Sequence, residues 1–275
     1  MQLICPISLK IKTEITLPLQ LYENADCIVV LDHFEISDPL WIKFKGSLEK
    51  SMLWMFVGGH FKANKYKIVI SSKSTGAPQE QHLALQHEWH NLNYIFTLIQ
   101  ASPANINLLV AKDFMDGMVM WDGTTNYSLR NHLEFGKNEL GRLNAIRIAR
   151  PTRVSDQKLS FVEMFFRLTL QQGPTFLRGA FFVTILEALY IGNEKDELRY
   201  RFAMRLAKKR GLDLEKFKHL RKMYDNRSAV FHGGIGEFDE KTILFLESES
   251  AQAIEEYTLT PDAFKGDVLD TKLLV

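Results

Sequence analysis

Two cysteines are all that the 275 residues contain, Cys5 and Cys27, each inside an apolar run. That scarcity excludes a disulfide framework and a cysteine-rich metal site, and it suits two buried thiols in a reducing compartment. No apolar run reaches the length of a membrane span, and the start, MQLICPISLK, lacks the charged opening and long apolar stretch of a signal peptide. The expectation is a cytoplasmic protein with no membrane partner. Also missing are a glycine-rich phosphate loop, a nucleophile elbow and a protein-kinase signature. The net charge of +1 gives no overall attraction to nucleic acid.

What is present, 46% hydrophobic and 24% charged residues, is the make-up of an ordinary globular chain, and two domains fit it better than one. The fold class expected is α+β: a β-rich domain over residues 1–150, then an antiparallel helical bundle over 151–275. From Leu3 to Leu21 nearly every odd position is apolar, the period of one long or two short half-buried strands, with Pro6 and Pro18 at an edge or an end. Cys27 to Leu31, Leu40 to Lys45, Met52 to Val57, Tyr66 to Ser71, Asn107 to Val110 and Gly117 to Trp121 read as further strands. Their short spacing suggests an antiparallel sheet.

Over Gln79 to Gln100 the period changes. Leu85, Trp89, Leu92, Phe96 and Ile99 recur at steps of four and three, which predicts an amphipathic helix on that sheet. It carries His82, His87 and His90. His87 and His90 could share a metal, but a zinc-protease helix needs two residues between glutamate and the second histidine, and His87-Glu88-Trp89-His90 has one. The reading is partly exposed structural histidines, no metal and no cofactor. The function of this half is not legible beyond positioning the second half or sensing a trigger.

Pro151 and the polar run to Lys158 look like the boundary. Helices follow over Leu159 to Leu170, ended by Gly173-Pro174, over Phe176 to Tyr190, and over Lys195 to Lys209, ended by Gly211. The third should bury Leu198, Phe202 and Leu206 and leave Arg201, Arg205 and Lys208 on another face. Asp213 can cap the fourth. Four helices with short connections make an antiparallel bundle. Beyond it, Thr242 to Leu246 reads as a strand and Ala251 to Tyr257 as a short helix. Charge is strongly polarised: Leu198 to Arg227 holds 11 Lys and Arg against 3 Asp and Glu, while Ser228 to the end holds 3 against 10. Such a surface offers polyanions one preferred side.

The fourth helix is the informative one. Phe217, Leu220, Tyr224, Arg227 and Phe231 form one stripe, apolar except at Arg227. An arginine on a core-facing stripe needs a paired acid, an oligomer partner or an anionic ligand. Glu187 either is solvated or is the acid that holds Arg227 or another buried arginine. His232 lies on the last turn, before Gly233 and Gly234, which mark the helix stop. Five residues turn an ideal helix by about 140° beyond a full turn, so Arg227 and His232 do not share a face. Ser228, one turn below, can touch His232.

Arginine, four residues, then histidine and glycine, together with ILEALY (Ile185 to Tyr190), ELRYRFAMRLA (Glu197 to Ala207) and KMYDNRSAVFHG (Lys222 to Gly233), resembles the Apea-like branch of the HEPN superfamily. The resemblance covers roughly the last 100 to 120 residues, the size of one domain. It implies a metal-independent endoribonuclease whose motif helices pair across a two-fold axis in a homodimer. The 2′-OH of RNA would attack its own phosphorus. Histidine titrates near neutrality and suits proton transfer, which gives His232 that task. Arginine can hold two phosphate oxygens, the task of Arg227. Ser228 would orient His232 or the phosphate, with Asn226 a weaker candidate. Tyr224 and Glu187 would orient Arg227, and Arg201, Arg205, Lys208 and Lys209 would meet RNA phosphates. The resemblance also suggests a toxin acting in anti-phage defence. Some members carry a modifiable tyrosine two residues after the histidine; Gly234 stands there, which puts silencing by that route in doubt. The alternative is a non-catalytic dimerisation or interaction module.

Overall fold

The computed structural model describes residues 2–7, 10–33, 66–99, 134–191 and 196–271. The chain divides into two compact units, with the boundary between Arg147 and Ile148. The first is built on a small antiparallel sheet and the second is a bundle of helices.

In the first unit, strands β1 (Gln2–Ile7), β3 (Leu19–Glu23), β4 (Cys27–His33) and β5 (Tyr66–Ser72) form one sheet in the order β1-β5-β4-β3. All neighbours are antiparallel, with Cys5 opposite Ile68 and Val29 opposite Ile70. Pro6 lies in the edge strand β1, and Pro18 directly precedes the other edge strand, where a missing N–H breaks no ladder bond. A two-residue strand β2 (Lys10–Ile11) pairs in parallel with β6 (Glu134–Phe135). Alternation puts Leu3, Cys5, Ile7, Val29, Leu31, Ile68 and Ile70 on one buried face.

Helix α1 (Pro78–Leu98) closes that face with Leu85, Trp89, Leu92, Phe96 and Ile99, all buried, as the four-three spacing predicts. Phe135, with Leu143 and Ile146 of α2 (Lys137–Ala149), completes the same core. Each such side chain contributes about 1.5–3 kcal/mol of burial. The strands expected over Leu40 to Lys45, Met52 to Val57, Asn107 to Val110 and Gly117 to Trp121 lie outside the described residues.

The second unit holds α3 (Gln157–Leu170), α4 (Thr175–Tyr190), α5 (Leu198–Arg210), α6 (Leu214–Phe231), α7 (Glu240–Leu259) and the short α8 (Gly266–Thr271). Aspartates cap three of them: Asp156, Asp213 and Asp239 accept from the backbone N–H of Leu159, Lys216 and Thr242. Gly211, at φ 61°, ends α5. Helix α4 is apolar around most of its circumference, so it takes the centre, and α3, α5, α6 and α7 pack around it. An ion pair between Arg178 and Glu247, 3.3 Å long and almost fully buried, ties α4 to α7.

Helix α7 corrects two expectations. Thr242 to Leu246 is not a strand and Ala251 to Tyr257 is not a separate helix; both belong to one helix of 20 residues. Over five residues the β-branched and apolar side chains favour a strand. Over the whole element, buried Ile243, Leu246, Ser250, Ile254 and Tyr257 recur at helical spacing behind the Asp239 cap. The four-helix bundle expected thus gains this fifth long helix. Residues after it are ordered as well, in a 3-10 turn (Pro261–Phe264) and α8.

Candidate functional site: the junction of α4 and α6

Two stripes meet in antiparallel register. Along α6 they are Tyr224, Arg227 and Phe231; along α4, in reverse, Glu187, Thr184 and Phe181. The Tyr224 hydroxyl donates to Glu187 Oε1 at 2.9 Å. Arg227 Nη2 lies 2.7 Å from Glu187 Oε2, and Arg227 Nε donates to Thr184 Oγ1 at 3.3 Å. One turn on, the Phe231 ring stacks on Phe181, with centroids 6.2 Å apart. The guanidinium carbon of Arg227 sits 5.1 Å from the Phe231 ring centre.

Glu187 is therefore the acid that holds Arg227. Of the alternatives open in the sequence, the paired acid supplies the counter-charge, within one chain. Burial first, then the hydrogen bond and charge of Glu187, push the Tyr224 hydroxyl up to about 12, so it stays a donor at neutral pH. The Arg227 side chain keeps 24% of its surface, and its Nη1 makes no bond to a described residue. It is an oriented, partly exposed cation.

Helix α6 stops at Phe231, and His232 is the cap, one residue past the last turn. The stop is a Schellman motif: Gly234 N donates to Ala229 O at 2.7 Å, Gly233 N to Val230 O at 3.4 Å, and Gly233 has φ 79°. His232 is exposed, and its backbone N–H reaches Ser228 O and Ala229 O. Asn226 has a structural use, because its Nδ2 donates to Glu237 O at 2.5 Å and pins the loop that follows the cap. That loop is also wedged by Phe238, whose ring lies where a β-carbon on Gly179 would stand.

The expected RNA-contacting cations fare differently. Arg205 is not on an outer face. Its side chain is 1% exposed, with Nε and Nη2 each 2.7 Å from the Asp270 carboxylate and Nη1 on Tyr190 O. Lys209 pairs with Glu256 at 3.1 Å and lies over the Phe264 ring, and Arg201 reaches Asp270 at 3.9 Å. Arg210 holds Glu249 and Glu256. The acidic part of the chain thus folds back on the basic helix and neutralises it. Lys208 stays exposed. Sequence reasoning missed Thr184, Phe181 and these acids. The first two were within reach, three and six residues before Glu187, once α4 and α6 are set antiparallel; the acids, far along the chain, left no local signal.

Phe231 departs from its core-facing assignment: it is 49% exposed. It ends a row of rings, Phe161, Phe165, Phe181 and Phe231, in successive contact. Met164 and Leu168, exposed on the same face of α3 as Phe161 and Phe165, widen the row into an apolar ridge beside Arg227. In the first unit His82 is half-buried and His87 and His90 are exposed, with His87 Nδ1 3.3 Å from Asn91 Nδ2. Among the described residues no three His, Cys, Asp or Glu side chains are grouped to share a metal ion, and no helix is long and apolar enough to cross a membrane. No family model, no curated protein and no solved structure matches the chain.

Proposed function

We propose that the second unit is an Apea-like HEPN domain and a metal-independent endoribonuclease acting as a homodimer. The observation that carries the reading is the Arg227 guanidinium, fixed by Glu187 and Thr184 while its side chain stays partly exposed, on the helix that ends at exposed His232. A fixed, partly desolvated arginine stabilises a phosphorane charge without reorganising during reaction. His232 would take the proton from the RNA 2′-OH; the 2′-oxygen bonds to phosphorus, the bond to the 5′-oxygen breaks, and that oxygen takes a proton from water while His232 returns its own to solvent. The products are a 2′,3′-cyclic phosphate and a 5′-hydroxyl. Ser228 is within one turn to steady His232. Of the four cations expected to meet RNA, Lys208 is the exposed one and would contact a phosphate. In this reading the first unit senses phage infection, and RNA cleavage stops host translation.

The apolar ridge supports the dimer. A two-fold contact through Phe231 buries rings otherwise left in water and brings a second Arg227 and His232 to the same cleft. Purified protein is expected to cleave RNA in EDTA, with Arg227→Ala and His232→Ala each lowering the rate at least about a hundredfold. Phe231→Asp should give a monomer by light scattering and lose the activity with it.

One observation favours an interaction module instead: Glu187 already neutralises Arg227 within the chain. Dimerisation through Phe231 with no cleavage, unchanged by Arg227→Ala or His232→Ala, would decide for that reading.

A further inference from the structure

Away from the junction, the first turns of α5 and α6 leave apolar side chains in water. Leu214 is 66% exposed and Tyr200 46%. The Tyr200 ring meets the half-buried ring of Phe217 edge-on, with centroids 5.7 Å apart and an interplanar angle of 79°. Arg221, one turn beyond Phe217, holds its guanidinium carbon 5.9 Å from that ring centre, and its Nε is buried with no acceptor. Lys218, on the same side of α6, is exposed. Among the described residues no carboxylate pairs with Arg221 or Lys218. The acids of this side are engaged elsewhere: Asp225 with Arg199 at 3.2 Å, and Glu197 with Arg201 at 4.0 Å. Glu215 lies in the first turn of α6, where the helix dipole favours a negative charge.

We propose that this face docks an acidic peptide segment of a partner protein, with a large apolar side chain on Leu214, Tyr200 and Phe217 and flanking carboxylates on Arg221 and Lys218. Charge complementarity names the partner. Two cations without an acid stand beside an apolar patch, and a buried N–H without an acceptor costs stability until one arrives. A carboxylate supplies it, because guanidinium and carboxylate match in a two-bond geometry. Tyrosine and arginine, ringed by apolar groups that exclude water, are also the residues that carry most of an interface's energy. Ring geometry favours a peptide over a nucleic-acid strand. One side of Phe217 is occupied by Arg221, Tyr200 stands nearly perpendicular to it, and the most exposed group, Leu214, is aliphatic, so no flat platform for stacked bases forms. None of these groups bonds in the Glu187–Tyr224–Arg227 network, so the proposal does not rest on the nuclease reading.

The test titrates the full chain into the fluorescein-labelled peptide EELFEELLEE and follows anisotropy. Saturable one-to-one binding is expected, about tenfold or more weaker in the Lys218→Glu/Arg221→Glu double variant and within about twofold of wild type in Arg227→Ala. Leu214→Ala, a change at an exposed site, should weaken it as well, with circular dichroism to verify that each variant is folded. The double variant should instead gain affinity for KKLFKKLLKK, a reversal that a misfolded chain could not show. Equal binding of QQLFQQLLQQ removes the charge part of the proposal, and equal binding of EEAAEEAAEE removes the apolar anchor; either overturns it. Lys216→Glu removes a cation from the opposite face of α6, so an equal loss there overturns the site in favour of diffuse attraction. Displacement of the peptide by oligoadenylate, with direct binding of that RNA lost in the double variant, assigns the face to nucleic acid and also overturns it. Absence of saturable binding overturns it outright.

Discussion

Arg227 gives up part of its hydration on folding, and the Glu187 carboxylate at 2.7 Å replaces it. Tyr224 fills the other carboxylate oxygen, so the acid serves two partners on one helix. Glu187→Gln keeps the shape and removes the charge. It should cost about 1.5–3 kcal/mol in urea denaturation, the range for a hydrogen bond to a charged group. Tyr224→Phe should cost less, about 0.5–1.5 kcal/mol, because it removes one donor and leaves the ion pair. If Glu187→Gln left stability unchanged, the pair would contribute no more than an exposed surface bridge. The arginine was legible in the sequence as an oddity on an apolar stripe, and Glu187 was one of its candidate partners. Which partner it takes depended on the register of α4 against α6.

At the scale of elements, the end of α6 is decided by one left-handed backbone conformation and one close approach. Gly233 holds φ 79°, and Gly233→Ala should cost about 1 kcal/mol while displacing His232. Gly179 is the tighter point, since an added β-carbon would meet the Phe238 ring. Gly179→Ala should therefore lower the urea midpoint by an amount worth about 1–3 kcal/mol, and Phe238→Leu in the same chain should recover part of it. The helix stop was readable, because glycine pairs after an apolar stripe signal it locally. The loop's attachment was not, as Phe238 and Gly179 are 59 residues apart in sequence. The misreading of Thr242 to Leu246 has a similar origin: its helical state follows from a cap before it and a buried face that extends far beyond it.

Over the whole helical unit, the charge polarity of the sequence ends in pairing. Asp270 on Arg205, Glu256 on Arg210 and Lys209, and Glu249 on Arg210 join the acidic stretch to the basic helix. The hydrogen bond from Arg205 holds the Asp270 carboxyl below its ordinary range. Burial raises Glu256, but the hydrogen bonds and charges of Arg210 and Lys209 outweigh it and leave it lowered too. Both folded values lie below the unfolded ones. Their stabilisation is thus fully present above the ordinary carboxylate range, roughly pH 4, and is lost as pH falls through the folded values. Denaturation midpoints should drop steeply below about pH 4, and the Asp270→Asn/Glu256→Gln variant should be weaker at pH 7 with a shallower acid limb. An acid limb of unchanged slope would remove these two carboxylates from the account.

Local periodicity alone determined the elements nearest to it in chain distance: the β1 and β4 alternation, the α1 stripe, the first four helices of the bundle and the stop at Gly233. Each is written in side chains a few residues apart, where hydrogen-bonding geometry repeats. Only the tertiary structure decided which charges meet, because Arg205 finds Asp270 65 residues away and Arg227 finds Glu187 40 residues back. An ion pair needs proximity in space, and composition records only that the charges exist.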